Sequence, residues 1–172
     1  MSGKVNIIQD GHKDLPPEIQ GKLGQFHRIL MSYTDFYQAK RITDYILQND
    51  LYANPDRNRI LLQALNCAAI IAYCRPFSGN DPGDTLKVHD LSARCLNVLS
   101  EVETAAHKLV MQDRNTRLAH SDPKAWQMEP QILRNRSGDF LLPIHNDVHA
   151  PLTDENMKIL NGMCAKLMGA VR

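Results

Sequence analysis

At 172 residues and 19.5 kDa, with 43% hydrophobic and 23% charged residues, the chain has the size and composition of one globular domain. A chain of this length buries roughly 70% of its unfolded surface on folding, so it needs neither disulfides nor a structural metal. Lys+Arg 20 against Asp+Glu 19 leaves a net charge of +1, which excludes a broadly basic nucleic-acid binder and an acidic solvating tail, and confines any nucleic-acid role to a local site.

Residues Met1 to Gly21 carry Gly11, Pro16 and Pro17 with little periodicity. They read as an N-terminal arm that orders only when something holds it, leaving residues 22–172 as the helical domain. From Leu23 the pattern changes. Leu23, Phe26, Leu30, Tyr33 and Tyr37 recur at three- and four-residue steps, followed by Ile42, Tyr45 and Ile46, which predicts a helix from about Gly24 to Gln48 with that stripe facing the core. Asn54-Pro55-Asp56 reads as a helix start, with Asn as N-cap and Pro at the first helical position. The helix it opens, Ile60 to Cys74, is apolar nearly all round and is predicted to be the most buried. Arg75-Pro76 stops it, because proline lacks the N–H and bars the preceding residue from the α region.

Gly79, Pro82 and Gly83 mark a loop over Phe77 to Asp84, and a short helix is predicted over Leu91 to Leu99. Ser100-Glu101-Val102-Glu103 is a capping box. It opens a third long helix with Val102, Ala105, Leu109 and Val110 toward the core, ending by Pro123. Phe140, Leu142 and Ile144 alternate across Ser137-Gly138 from Ile132-Leu133, which predicts a β-hairpin. Thr153 as N-cap, with Asp154 and Glu155 in the first turn, opens the last helix, in which Met157, Leu160, Cys164, Leu167 and Val171 repeat in heptad fashion. The predicted fold is all-α: a four-helix up-down bundle with a short extra helix and a small β-hairpin insertion before the last helix.

The N-terminal residues contain no apolar h-region, and the longest unbroken apolar run, Cys67 to Cys74, falls far short of the roughly 20 residues of a membrane span. A soluble, cytoplasmic chain without a membrane partner is expected. Cys67, Cys74, Cys95 and Cys164 form no C-x-x-C pair and sit among aliphatic neighbours, which predicts reduced thiols rather than disulfides or zinc.

One stretch has residues suited to chemistry rather than packing: Asp113-Arg114-Asn115-Thr116-Arg117-Leu118-Ala119-His120-Ser121-Asp122. A histidine titrating near neutrality can take the proton from a 2′-hydroxyl or hand one to a leaving oxygen. An arginine fork can hold the phosphate and stabilise charge on its equatorial oxygens. Together they suffice for RNA cleavage without a metal or cofactor, leaving a cyclic phosphate. Arg114 and His120 are six residues apart, about 120° off one helical face and roughly 9 Å along the axis. Only a long arginine or a helix that loosens at His120 would bring both groups onto one phosphate, a requirement that two copies across a dimer would ease. Arg117 and His120 are also readable as cations that complement a helix C-terminus.

Tyr73 and Arg75, at the end of the second long helix, are candidate lining residues of the same cleft, or else a helix stop with an aromatic anchor. His145 and His149 have an i, i+4 spacing, but Pro143 and Pro151 bracket them, and no metal site is expected. Arg134 and Arg136 flank the hairpin turn, where RNA backbone contact and ordinary surface charge are both open readings. His27 and His107 are isolated within helices, and no Gly-rich phosphate loop, Ser-His-Asp set or HExxH motif is present.

Arg114-Asn115-Thr116-Arg117-Leu118-Ala119-His120 resembles the R-x4-6-H signature of HEPN domains, with the polar residue that often follows the arginine. Ala119-His120-Ser121-Asp122 is similar to their usual ending, and the motif closes the third long helix of the predicted bundle, so the resemblance covers about Gly24 to Val171. It implies a homodimer that brings two motifs into one cleft and, in many members, metal-independent endoribonuclease activity in toxin, antiphage or RNA-processing systems. By that resemblance Arg114 and His120 take the catalytic positions and Asn115 the supporting polar one; Arg117, at the same helix end, is readable either as a phosphate contact or as a solvated surface residue. The partners expected are RNA or a nucleotide and a second copy, with an antitoxin or other partner protein as a further candidate. Other members are non-catalytic modules that bind a nucleotide or a protein, which is the alternative reading. The hairpin and the N-terminal arm lie outside the common pattern.

Overall fold

Pro16 and Pro17 start the first helix rather than delaying it. Proline's fixed φ and missing N–H suit a first helical turn, and helix α1 spans Pro17–Gln48 with Glu18 in that turn, entering the segment predicted to be an arm. The computed structural model describes residues 15–78, 90–118, 129–135, 138–144 and 152–172. Among them are three further α-helices: α2 (Arg59–Cys74), α3 (Glu101–Asp113) and α4 (Asp154–Ala170). Short 3₁₀ turns cover Leu51–Ala53, Arg75–Phe77 and Ala93–Val98, the last standing where a short helix is predicted. The described fold is predominantly helical.

The face that α1 buries is the predicted one only in part: Ile46 is buried, and Tyr33 and Ile42 pack against the core. Gly24, Arg28, Ser32, Phe36, Ala39, Thr43 and Ile46 turn inward, whereas Phe26 (59% exposed), Leu30 (55%), Tyr37 and Tyr45 face outward. The physical reason is that α1 carries apolar residues on two opposite sides. Packing selects the side whose small Gly, Ser, Ala and Thr residues admit close approach and whose Phe36 and Ile46 fill the core.

α2 meets its predicted burial in part and departs in where it starts. Asn54-Pro55-Asp56 lies in the turn before the helix, and Asn58 precedes it, donating from Nδ2 to the Leu51 carbonyl at 2.9 Å. Leu62, Asn66, Ala69, Ile70, Ala72, Tyr73 and Cys74 are buried, but Ile60 is 83% exposed and Leu61 and Ile71 also face outward. The helix is therefore one-sided rather than central. Arg59–Phe77, with mean hydropathy 1.4, is long and apolar enough by those measures to cross a membrane; its inner face is packed within the protein. α2 is still the helix with the largest buried share among the four, as predicted, and α4 adds a continuous buried face of Met157, Leu160, Met163, Cys164 and Leu167.

Polar contacts set the helix directions. Arg172 donates to the Tyr33 hydroxyl at 2.7 Å, and Asn161 donates to Thr43 Oγ1 at 2.8 Å and Asp44 Oδ1 at 2.7 Å, so α4 runs antiparallel to α1. Arg75 bonds Asp35 and Gln38 while Leu61 and Leu65 lie beside Ile42 and Tyr45, so α2 is antiparallel to α1 as well. Lys166 meets Glu103 at 2.7 Å, and Asn156 lies beside Asp113, which makes α3 antiparallel to α4.

The capping box at the start of α3 is complete: Glu103 N–H donates to Ser100 Oγ at 3.3 Å and Ser100 N–H to Glu103 Oε2 at 2.8 Å. Of the predicted core residues in α3 only Val110 is buried; Val102, Ala105 and Leu109 face outward. Ala106, His107 and Met111 pack inward in their place, because Tyr73 and Val110 fix the rotation of the helix. Thr153 caps α4 by accepting from Asn156 N–H at 3.2 Å. Strands β1 (Glu129–Asn135) and β2 (Gly138–Ile144) form an antiparallel hairpin with Leu133 opposite Phe140 and Asn135 opposite Gly138. Gly138 has φ 132, a conformation that only glycine takes without strain.

The entry to α4 is held by a buried amide. Asn66 Oδ1 accepts from Leu152 N–H at 2.9 Å, its Nδ2 donates to the Leu62 carbonyl at 3.1 Å, and the Tyr52 hydroxyl donates to the Leu152 carbonyl at 2.6 Å. Asn66→Ala strips the Leu152 N–H of its acceptor. It is expected to cost about 1–3 kcal/mol, read as a lower urea midpoint at unchanged slope.

Candidate functional site

The candidate site begins where α3 changes its winding. The α-helical ladder ends at Asp113, and Arg114–Leu118 continue as a single wide π-helical turn. Such turns widen the angular step between residues and are enriched at functional sites. The helix changes its winding at Arg114, whereas the expected loosening is at His120. His120 lies outside the described residues, as do His145 and His149.

Arg114 is half-buried, and its Nη1 donates to Asn115 Oδ1 at 2.9 Å. The neighbouring amide therefore orients one edge of the guanidinium. Thr116 donates from Oγ1 to the Gln112 carbonyl at 2.9 Å, and Asn115 is exposed. Arg117 belongs to the π turn. The Arg114 charge reaches Cys74, where it pulls the thiol downward against the burial that pushes it up to about 12.

Tyr73 and Arg75 part company. Tyr73 is completely buried, with its hydroxyl 2.9 Å from His107 Nδ1, so it faces the core. Burial pushes its phenol above the ordinary range. Arg75 is exposed and turns toward α1, where its Nη1 lies 3.3 Å from Asp35 Oδ1 and 3.1 Å from Gln38 Oε1. Burial raises the Asp35 carboxyl even against the pull of Arg75. Neither residue is brought together with Arg114 by a hydrogen bond.

His107 has a larger role than its isolated position in the sequence suggests. It is half-buried, edge-on to Phe77 with centroids 4.8 Å apart, and bonded to Tyr73. It stands two helical turns before Arg114 on the same face of α3, roughly 10 Å along the axis. The signal available in the sequence was that seven-residue spacing. At that distance His107 and Arg114 cannot grip one phosphate.

Two concave features flank this end and side of the bundle. A pocket of about 210 Å³ is lined by Leu109, Val110, Asp113, Leu152, Asn156 and Met163 among others, and Asp113 and Asn156 are its polar lining. An open groove of about 680 Å³ runs between α1 and α2, lined by Tyr37, Arg41, Ile42, Tyr45, Leu61 and Leu65 among others. Among the described residues no three His, Cys, Asp or Glu side chains gather where they could hold a metal ion. All four cysteines are free; Cys74 and Cys164 are buried, Cys67 and Cys95 half-buried. Burial raises every one of these thiols above its usual value, Cys164 to about 12.

No family model, curated protein or solved structure matches the chain.

Burial, reinforced by the neighbouring Lys108 charge, holds His107 below its usual pKa of 6.5. The unfolded chain therefore binds the His107 proton first as the pH falls, and native stability drops below about pH 6.5 toward the lowered folded value. The melting temperature is expected to fall between neutral pH and pH 5 in the wild type. His107→Phe should show a shallower fall, and equal slopes for the two proteins would refute the assignment.

Proposed function

We propose that the chain is a metal-independent endoribonuclease of HEPN type that cleaves RNA by attack of the 2′-hydroxyl on the adjacent phosphate. Arg114 holds the scissile phosphate and stabilises charge on its equatorial oxygens. His120 acts as general base toward the 2′-hydroxyl or general acid toward the leaving oxygen. Asn115 keeps the Arg114 fork oriented, and Arg117 adds a phosphate contact. Two copies contribute to one cleft, because a second Arg114–His120 pair supplies the group that a single helix end holds too far away. The observation that carries the reading is the wide turn at Arg114–Leu118, where the motif leaves regular α-helical geometry and Asn115 accepts from Arg114. A role in a toxin or antiphage system follows from the same resemblance.

The open α1–α2 groove favours a second reading, a non-catalytic module that binds a nucleotide or a partner protein; its lining mixes tyrosine and arginine with aliphatic residues.

Cleavage of mixed single-stranded RNAs by purified protein tests the proposal. His120→Ala is expected to lose roughly 10²- to 10⁴-fold in rate, the range for a general acid or base, and Arg114→Ala a comparable amount. Activity should persist in EDTA and the products should end in cyclic phosphate. Wild-type protein that cuts no RNA, or a His120→Ala variant as fast as wild type, transfers the case to the binding module.

A further inference from the structure

Tyr33, Tyr37, Arg41 and Tyr45 follow one another at steps of four, so they form a ladder along one side of α1 with rungs about 6 Å apart. The Tyr33 and Tyr37 rings are stacked, 6° from parallel with centroids 6.5 Å apart. Arg172 lies over Tyr33 at 5.1 Å and donates to its hydroxyl, and Arg41 lies over Tyr37 at 5.9 Å. The stack ends there. Tyr45, the next rung, is 50% exposed, and among the described residues no other ring or cation rests on it. Arg41 and Tyr45 both line the open groove between α1 and α2, with Ile42, Leu61 and Leu65 as its aliphatic lining.

No carboxylate lines this groove. α2 contains no acidic residue, and the three of α1 are engaged elsewhere: Glu18 with Lys22, Asp35 with Arg75, and Asp44 with Lys40 and Asn161. Arg41 is exposed and makes neither a hydrogen bond nor an ion pair among the described residues. An uncompensated guanidinium one turn from a bare phenol ring suits a ligand that is flat, aromatic and anionic, as a nucleic-acid base with its phosphate is. An apolar peptide helix would cover the aliphatic lining but would desolvate the Arg41 charge without pairing it. We propose that the groove holds single-stranded RNA, with bases stacked on the Tyr45 ring and the Arg41 guanidinium and the in-plane Arg41 N–H groups donating to an adjacent phosphate. Stacking on aromatic rings and guanidinium planes is how single strands are held with little regard to sequence.

No lining residue of the groove belongs to α3 or to the Arg114–Leu118 turn, so the groove is a bed for the strand and separate from the cleavage motif. It deepens the nuclease reading by naming where the substrate lies, and it rests on that reading for the choice of RNA.

Fluorescence anisotropy of a labelled single-stranded RNA of mixed sequence, about 12 nucleotides long, tests it. The full chain carrying His120→Ala, which under the nuclease reading leaves the strand uncut, is expected to bind saturably and more weakly as salt rises. Adding Tyr45→Ala or Arg41→Ala should weaken binding about 5- to 150-fold, the range for losing one stacked base. Arg41→Lys should restore only part, since an ammonium keeps the charge and lacks the plane. Circular dichroism should be unchanged, because both side chains are exposed. Arg94→Ala, at an exposed arginine of the Ala93–Val98 turn outside the groove, should bind as the parent does. Groove variants that bind like the parent, or an Arg94→Ala loss equal to that of Arg41→Ala, overturn the proposal. So does AMP competing at the affinity of the RNA, which would make this a mononucleotide site, or an absence of RNA binding, which would leave the groove to a protein partner. With His120 intact, Tyr45→Ala and Arg41→Ala should raise KM for cleavage with little change in kcat. RNA held through the groove but never cut removes the nuclease reading and leaves this one standing, whereas cutting indifferent to both substitutions removes this one alone.

Discussion

The hydrogen bond between the Tyr73 hydroxyl and His107 Nδ1, 2.9 Å long, is the contact on which the arrangement of the helices turns. Tyr73 has no exposed surface, and its ring lies 5.9 Å from Phe36 of α1, 5.8 Å from Phe77 and 5.8 Å from His107 of α3. One side chain therefore joins three helices. A buried phenol must find a partner, because an unsatisfied hydroxyl costs about 1–3 kcal/mol, and only a rotation of α3 that turns His107 inward provides it. That rotation sends Val102 and Leu109 outward and sets the direction in which Arg114 leaves the helix.

The far end of the bundle is built by a similar economy of polar groups. Asn66 and Tyr52 together bind both backbone groups of Leu152, and Thr153 then caps α4. Glu103 completes the cap of α3 and pairs with Lys166, so the start of one helix is tied to the last turns of another. These contacts hold α3 between α2 and α4, with Asp113 and the wide Arg114–Leu118 turn at the end that faces Leu152 and Asn156. The proposed chemistry uses that end of the molecule.

Local signals were legible in the residues themselves. The capping box at Ser100 to Glu103, the Thr153 cap, the heptad of α4 and the hairpin around Gly138 each depend on neighbours within a few positions, and each stands where the sequence predicts it. The R-x4-6-H spacing was legible in the same way, since it is a pattern along one segment. The winding of that segment was not, because a π turn differs from an α turn by one hydrogen-bond register, which side-chain types do not specify.

What the sequence by itself determined was roughly where the four α-helices among the described residues lie. What only the tertiary structure decided was which side of each helix is inside. α1 has apolar residues on two faces, and its hydrophobic pattern cannot rank them; the stripe Leu23 to Tyr37 has the larger side chains and is nevertheless the outer one. Packing ranks them by shape. Gly24, Ser32, Ala39 and Thr43 let α2 and α4 come close enough for Phe36 and Ile46 to reach Tyr73 and α4. The same holds for Ile60 and Ile71 of α2, exposed despite their hydrophobicity, since burial depends on how many neighbours reach a side chain, and that number is a property of the assembled bundle rather than of any one helix.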